Sequence, residues 1–359
     1  MTQRPSNLPR ILILYTGGTI GMESLSSDVQ LYRVAKKSPA KLKKQIQDRA
    51  PELAQIARCE VEVLMNQDSA NMGPDDWVLI AERVQKAWQK YDGIVILHGT
   101  DSMAYTASAL SYLLRPCVKP VILTGAQRPL AAIRTDARRN LISSVEIAAR
   151  GPRSLLNQVC VFFDDRLFQG NRVRKRSAFD FQAYDSPFAS ALANVGSEIQ
   201  YRREPREFKF ASQTLAPQFD TRVLLTTVTP GFPSKAIRAV LGHEIQGLVL
   251  NVFASGTAPT EDPAFMDLLK FAKKKRVPVV AVTSGSVKVS MGQAMGSGRS
   301  LVDPRKYGPG RDLIKAGALW AGTMTPEAAW VKVSFLLGQR AGAERFSALW
   351  NLDLAGESS

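Results

Sequence analysis

Short runs of apolar residues, each emptying into a polar or glycine-containing loop, recur along the chain. "ILIL" (11–14) runs into "YTGGTIGM" (15–22), "GIVIL" (93–97) into "HGTDS" (98–102), and "KPVIL" (119–123) into "TGAQRP" (124–129). Continuous apolar runs of this length predict strands buried on both faces, as in parallel sheets. Segments with helical periodicity alternate with them. In "WVLIAERVQKAWQKY" (77–91), Trp77, Ala81, Val84, Trp88 and Tyr91 share one face, and Pro74, Asp75 and Asp76 enter the first turn. "MAYTASALSYLL" (103–114) is apolar nearly all round and predicts a buried helix capped at Asp101 or Ser102. "RTDARRNLISSVEIAARG" (134–151) predicts another helix, stopped by Gly151 and Pro152.

The stretch 196–221 is polar and lacks a sustained apolar period, which predicts a linker. Beyond it the strand rhythm restarts at 222–232, 247–259 and 277–285, at intervals that suit βαβ units. A helix at 325–339 closes the pattern, with Thr325 as N-cap and Pro326 in the first turn. The expected organisation is an N-terminal α/β domain at 1–200, a linker at 201–221 and a C-terminal α/β domain at 222–359. A length of 359 residues agrees, since single cores stop growing at about 250 to 300 residues.

With 45% hydrophobic and 22% charged residues, the composition is that of a folded chain. No apolar stretch is long enough to span a bilayer and the first apolar run is too short for a secretory signal, so a cytoplasmic location without membrane association is expected. Cys59, Cys117 and Cys160 are widely spaced, which argues for unpaired thiols over a disulfide framework or zinc site. The net charge of +15 raises the question of nucleic acid, with basic clusters at 35–44, 171–176, 202–209 and 273–276. No nucleic-acid-binding motif accompanies them, and solvated basic faces are the preferred reading.

Only two histidines are present, His98 and His243, and neither lies in a G-x-S-x-G or H-E-x-x-H pattern. Mechanisms built on a catalytic imidazole lose support. His243 reads as a surface residue at a helix end, and His98 as a group that packs locally or supports a neighbouring site. "TGGTIGM" matches neither the P-loop nor the dinucleotide fingerprint. In α/β sheets ligands bind beyond the carboxyl ends of the strands, so the strand-end loops read as one site. They supply Thr19, Thr100, Asp101 and the 124–127 backbone, and "FFDDRLFQGNRVRK" adds Lys175. Such a set suits acyl transfer without histidine, because a threonine Oγ can attack an amide carbonyl when a phenol or a desolvated lysine takes its proton.

On these residues the chain resembles the bacterial-type L-asparaginases, the cytoplasmic type I group in particular. "YTGGTIGM", "QDSANMGPDDW", "DGIVILHGTDSMAYTASALSYLL", "KPVILTGAQRPL" with "RTDARRNL", "FFDDRLFQGNRVRK" and "AGALWAGTMTPEAAWVKVSFLL" carry the likeness. The resemblance implies two α/β domains, a larger N-terminal one with a mixed sheet bearing the site loops and a smaller C-terminal one with a parallel sheet. It further implies cleavage of L-asparagine to L-aspartate and ammonia, without metal or organic cofactor, by a homo-oligomer, dimer or tetramer. Carried over by motif, Thr19 would be the nucleophile that forms a β-aspartyl ester, and Thr100 would work with Lys175 and Asp101. Asp101 would also hold the substrate's α-ammonium and Ser69 its α-carboxylate, while backbone near Thr100 and Ala126 would line the oxyanion position. Tyr32 would be the gate-loop tyrosine. The usual S-x-D-M of the substrate loop reads "SANM", with Ala70 and Asn71, so binding is expected to lean on Asp68, Ser69 and the Ala70 backbone. Two other functions fit the same residues. One is the amide-hydrolysing subunit of a tRNA-dependent amidotransferase, expected to match over its catalytic half; the other is an amino-acid-binding module without turnover.

Overall fold

The computed structural model describes residues 8–24, 32–33, 38–202, 215–284, 303–340 and 342–357, with 23, 24, 32 and 33 described as backbone only. The chain divides into two compact units, Met1–Ser186 with Ser190–Phe208, and Pro187–Ala189 with Lys209–Ser359.

The first unit is built on an eight-stranded mixed sheet. Its strands are β1 (Arg10–Gly17), β2 (Arg58–Gln67), β3 (Gly93–Leu97), β4 (Val121–Thr124), β5 (Val159–Phe163) and β6 (Arg166–Gln169). A short arm follows, β7 (Arg174–Lys175) paired with β8 (Tyr184–Asp185), and then β9 (Ala193–Val195) and β10 (Ile199–Tyr201). The sheet order is β10-β9-β6-β5-β4-β3-β1-β2. The strands from β2 to β5 in that order are parallel, and β6, β9 and β10 extend the sheet antiparallel. Ile11 to Leu14, Ile94 to Leu97 and Val121 to Leu123 are fully buried, since helices cover both faces. Their burial on both sides is why these strands read as unbroken apolar runs.

One face packs against the helices Pro74–Ala87 and Met103–Leu113, and the other against Pro39–Arg49 and Ala137–Arg150. Trp77, Ala81, Val84 and Tyr91 are buried as the periodicity predicts, and Trp88 is half-buried. Ser102 precedes the helix Met103–Leu113 but gives no side-chain cap. Its hydroxyl instead donates to the Ser69 carbonyl at 2.6 Å, tying two site loops together. The linker expected from 196 overreaches: Ile199–Tyr201 pairs with β9 as the terminal strand. An edge strand is short and polar on its open side, so it lacks the apolar run that marks a strand. Residues 203–214 lie outside the described ones.

The second unit carries a four-stranded parallel sheet, β11 (Val223–Thr227), β12 (Gly247–Val252), β13 (Val279–Thr283) and β14 (Leu319–Trp320), in that order. Thr325 caps the helix Pro326–Gly338, its hydroxyl accepting from Ala328 N–H at 3.2 Å. Lys332 of this helix is completely buried and ion-paired with Glu357 at 2.6 Å; its ammonium also donates to the Trp350 and Leu352 carbonyls. Among the described residues no helix is long and apolar enough to cross a membrane. The three cysteines are free, and burial raises the pKa of all three thiols, to about 12 for Cys59 and Cys117.

Candidate active site

Parallel strands β1 and β3 lie side by side, with Tyr15 opposite Leu97, so the loops that leave them start at the same height. Thr16 strengthens this junction by donating its hydroxyl to the Leu97 carbonyl at 2.9 Å. The two glycines that follow have positive φ, 127° at Gly17 and 89° at Gly18. Both sit where a side chain has no room. A Cβ on Gly17 would stand 2.0 Å from the Gln67 carbonyl oxygen, and one on Gly18 2.5 Å from Gly99 Cα. Glycine is therefore required twice, for backbone conformation and for close approach. The chain then turns into a single 3-10 turn, Thr19–Gly21, which leaves Thr19 half-buried directly after Gly18, the residue that abuts the His98–Gly99 backbone.

Thr100 is almost fully buried, with 7% exposure. Lys175, brought in by the β7–β8 arm, places its Nζ 2.7 Å from Thr100 Oγ1 and 2.8 Å from Asp101 Oδ1. The Lys175 side chain is 18% exposed and that of Asp101 66%, so the lysine is enclosed while the carboxylate keeps an open side for a ligand. Opposite Lys175 in the arm stands Tyr184, buried, whose hydroxyl donates to the Thr100 carbonyl. One tyrosine thus fixes both partners. Of the arginines flanking Lys175, Arg176 is engaged with Asp185 at 3.7 Å.

Ser69 is buried on the third loop, after β2. Its Oγ accepts from the Asp101 N–H at 3.2 Å, which leaves its own proton to donate to an incoming anion. Asp68 turns inward on its own loop, accepting from Ala70 N–H at 3.0 Å, and Ala70 and Asn71 are exposed. Ala126 is fully buried in the loop after β4. The preceding Gly125 is pressed against His98 and Thr100: a Cβ there would lie 2.4 Å from the His98 carbonyl oxygen and 3.5 Å from Thr100 Cγ2.

The geometry thus gathers Thr100, Asp101, Lys175 and Ser69 by direct hydrogen bonds, and sets the Thr19 turn and the Ala126 loop beside them. Tyr32 is described as backbone only, pairing with Ser24, and its side chain lies outside the described residues. His98 is a structural group. It is wholly buried with Nδ1 2.6 Å from the Gly99 carbonyl oxygen, and burial lowers its pKa to about 4, which keeps the ring neutral. His243 is exposed just beyond the helix Ser234–Val240. Sequence reasoning misses Tyr184, Asp136 and Asn140, although "RTDARRNL" contains the last two. Among the described residues no cluster of His, Cys, Asp and Glu has a metal-binding arrangement.

Fold and site together define a two-unit α/β protein with a hydroxyl, amine and carboxylate constellation at the carboxyl edge of its larger sheet. The sequence model of the asparaginase N-terminal domain matches residues 10–207, and that of the glutaminase/asparaginase C-terminal domain matches 222–349. The chain belongs to the asparaginase family. L-asparaginase 1 of Escherichia coli (strain K12) is 35% identical over 352 residues, 97% of each chain. The crystal structure of L-asparaginase I from Vibrio cholerae is 35% identical with a TM-score of 0.82, covering 98% of this chain and 100% of that one. A glutamyl-tRNA(Gln) amidotransferase component of Pyrococcus abyssi is 32% identical over 98% of this chain and 77% of its own length, a likeness wider than a catalytic half.

Proposed function

We propose that this protein is an amidohydrolase that converts L-asparagine to L-aspartate and ammonia through Thr19. The observation that carries the reading is Lys175 Nζ within 3 Å of both Thr100 Oγ1 and Asp101 Oδ1, on the segment that packs against the Thr19 turn. Those separations are within the reach that proton transfer requires.

In the first half-reaction Thr19 Oγ gives its proton to the Thr100–Lys175 pair as it bonds to the side-chain amide carbon, and the carbonyl electrons move onto oxygen. Backbone near Thr100 and in the Ala126 loop would line the position of the developing charge, where fixed donors act most strongly. Collapse of this intermediate breaks the C–N bond, and ammonia leaves with a proton relayed through the Thr100–Lys175 pair. Water then adds to the β-aspartyl ester, giving up a proton to that pair, and collapse breaks the bond to Thr19 Oγ, which takes the proton back from the pair and is a hydroxyl again. The Asp101 carboxylate suits the substrate's α-ammonium and the Ser69 hydroxyl its α-carboxylate. A homo-oligomer in the cytoplasm completes the proposal.

The test is ammonia release from L-asparagine by wild type and Thr19→Ala. The variant is expected to lose steady turnover while its melting temperature stays within about 2 °C, since a half-buried hydroxyl contributes little packing. Near-wild-type ammonia release by the variant would show that another group is the nucleophile. No release by the wild type on L-asparagine, L-glutamine or D-asparagine would favour a binding module.

A further inference from the structure

The loop after β4 touches three parts of the site. Gly125 packs against Thr100. The Gln127 side-chain amide donates to the Ser177 and Asp180 carbonyls, at 3.4 and 3.1 Å, in the turn that follows Lys175. Leu130 N–H donates to the Ile20 carbonyl at 3.1 Å, in the Thr19 turn. A shift of this loop would therefore displace the nucleophile's turn, the second threonine and the lysine together.

What holds the loop is a pair of buried polar side chains at the start of the helix Ala137–Arg150. Asp136, 4% exposed, accepts from Gln127 N–H with Oδ2 at 2.8 Å and from Arg128 N–H with Oδ1 at 3.0 Å. Asn140, one helical turn on and wholly buried, donates its amide to the Gly125 carbonyl at 3.0 Å and to Asp136 Oδ2 at 3.3 Å. Its amide oxygen accepts from Asp164 N–H at 3.3 Å, in the hairpin between β5 and β6. Without the pair, two N–H groups and one buried C=O of the loop would lose these partners. A buried carboxylate is costly to keep unless it is well hydrogen-bonded, and here its bonds go to the loop that meets the site.

We propose that Asp136 and Asn140 are positioning residues for the reaction, a clamp that sets the 125–130 loop and through it the mutual placement of Thr19, Thr100 and Lys175. The catalytic consequence rests on the amidohydrolase reading, whereas the clamp itself can be tested apart from it. The clamp uses a carboxylate because it must accept on both oxygens. In Asp136→Asn, of nearly equal volume, one of the two N–H groups would meet an NH2, donor against donor. The loop is then pushed off, and a displacement of about 1 Å is enough to lower a rate on the order of 100-fold.

The experiment compares wild type and Asp136→Asn in the full-length chain by three measurements. Ammonia release from L-asparagine is expected to show kcat lowered by roughly 10-fold to 100-fold, the range a displacement of up to about 1 Å gives, while KM stays within about threefold. Calorimetric titration with L-aspartate is expected to give a Kd within about threefold of wild type, because the α-carboxylate and α-ammonium contacts lie on other loops. Hydrogen exchange read by mass spectrometry is expected to lose protection in peptides covering 125–130 and to keep it in the sheet. Wild-type kcat with retained protection overturns the clamp, and so does a loss of aspartate binding in proportion to kcat, which marks general damage. If the wild type releases no ammonia, the amidohydrolase reading fails, and exchange at 125–130 still decides the clamp. Should Asp136→Asn not fold, Gln127→Met decides instead, as this half-buried side chain bridges the loop to the turn after Lys175; an unchanged kcat there overturns the proposal.

Discussion

Gly18→Ala tests the link between backbone geometry and chemistry most directly. Gly18 has φ 89° and ψ 176°, a region essentially reserved for glycine. Holding alanine there costs about 1 to 3 kcal/mol. Space makes matters worse, because the added Cβ would stand 2.5 Å from both Gly99 Cα and Gly99 N, and 2.8 Å from the His98 carbonyl carbon. These are backbone atoms at the end of a buried strand and cannot swing aside. Carbon atoms rest at about 3.5 to 4.0 Å, so the Thr19 turn must retreat by about 1 Å from the segment that carries Thr100. A misplacement of that size is worth on the order of 100-fold in rate, or about 2.7 kcal/mol of barrier. Steady-state ammonia release from L-asparagine measures it, with Gly73→Ala as control, since a Cβ at Gly73 meets nothing within 4 Å and its φ of −134° is open to any residue. The control should stay within twofold of wild type. Gly18→Ala activity within threefold of wild type would refute the proposed placement of the nucleophile by this turn.

Two further changes probe other parts of the molecule. Lys175→Met removes both hydrogen bonds of the amine and should lower kcat by roughly 10²-fold to 10⁴-fold with L-aspartate binding largely kept; calorimetry and ammonia release distinguish this from loss of binding, and unchanged kinetics would remove the lysine from the reaction. Lys332→Met strands Glu357 in the second unit and should cost about 3 to 5 kcal/mol, the range for breaking a buried pair, less whatever is recovered by protonating the carboxyl. Burial already raises the Glu357 pKa above its ordinary 4.5 with the lysine as a counterweight, and losing the lysine raises it further. A carboxyl with a raised folded-state pKa loses stability as pH rises above its unfolded value, so the variant's deficit in urea unfolding should be larger at pH 8 than at pH 5. Lys332→Met with Glu357→Leu should recover most of it, and a pH-independent deficit would contradict this account of the pair.

Which parts of the site could be read from sequence follows from how each side chain reaches it. Thr19, Thr100 and Ala126 follow β1, β3 and β4, whose apolar runs are continuous because both faces are covered. Parallel strands bring their carboxyl ends to one edge, so identifying the strands is nearly enough to assemble those loops. Lys175 follows by the same logic from β5, although the chain first doubles back through β6 and the β7–β8 arm. Tyr184 escapes because its role depends on register. It lies opposite Lys175 across an arm of two-residue strands, and no local pattern signals which residue of "SAFDFQAYD" will stand there. The Asp136–Asn140 clamp escapes for a different reason, and one that is correctable. Asp136, Asn140 and Ser144 recur every four residues on the face of an amphipathic helix that also carries Leu141, Val145 and Ala148, and all six are buried. A polar stripe at helical spacing on a buried face is not a solvated surface: Asp136 and Asn140 find their partners in the loop that leads into the helix, whereas the Ser144 hydroxyl has none among the described residues. The same pattern in "RTDARRNLISS" therefore predicts a loop held from below, and the residue before the helix is where the holding group should be sought.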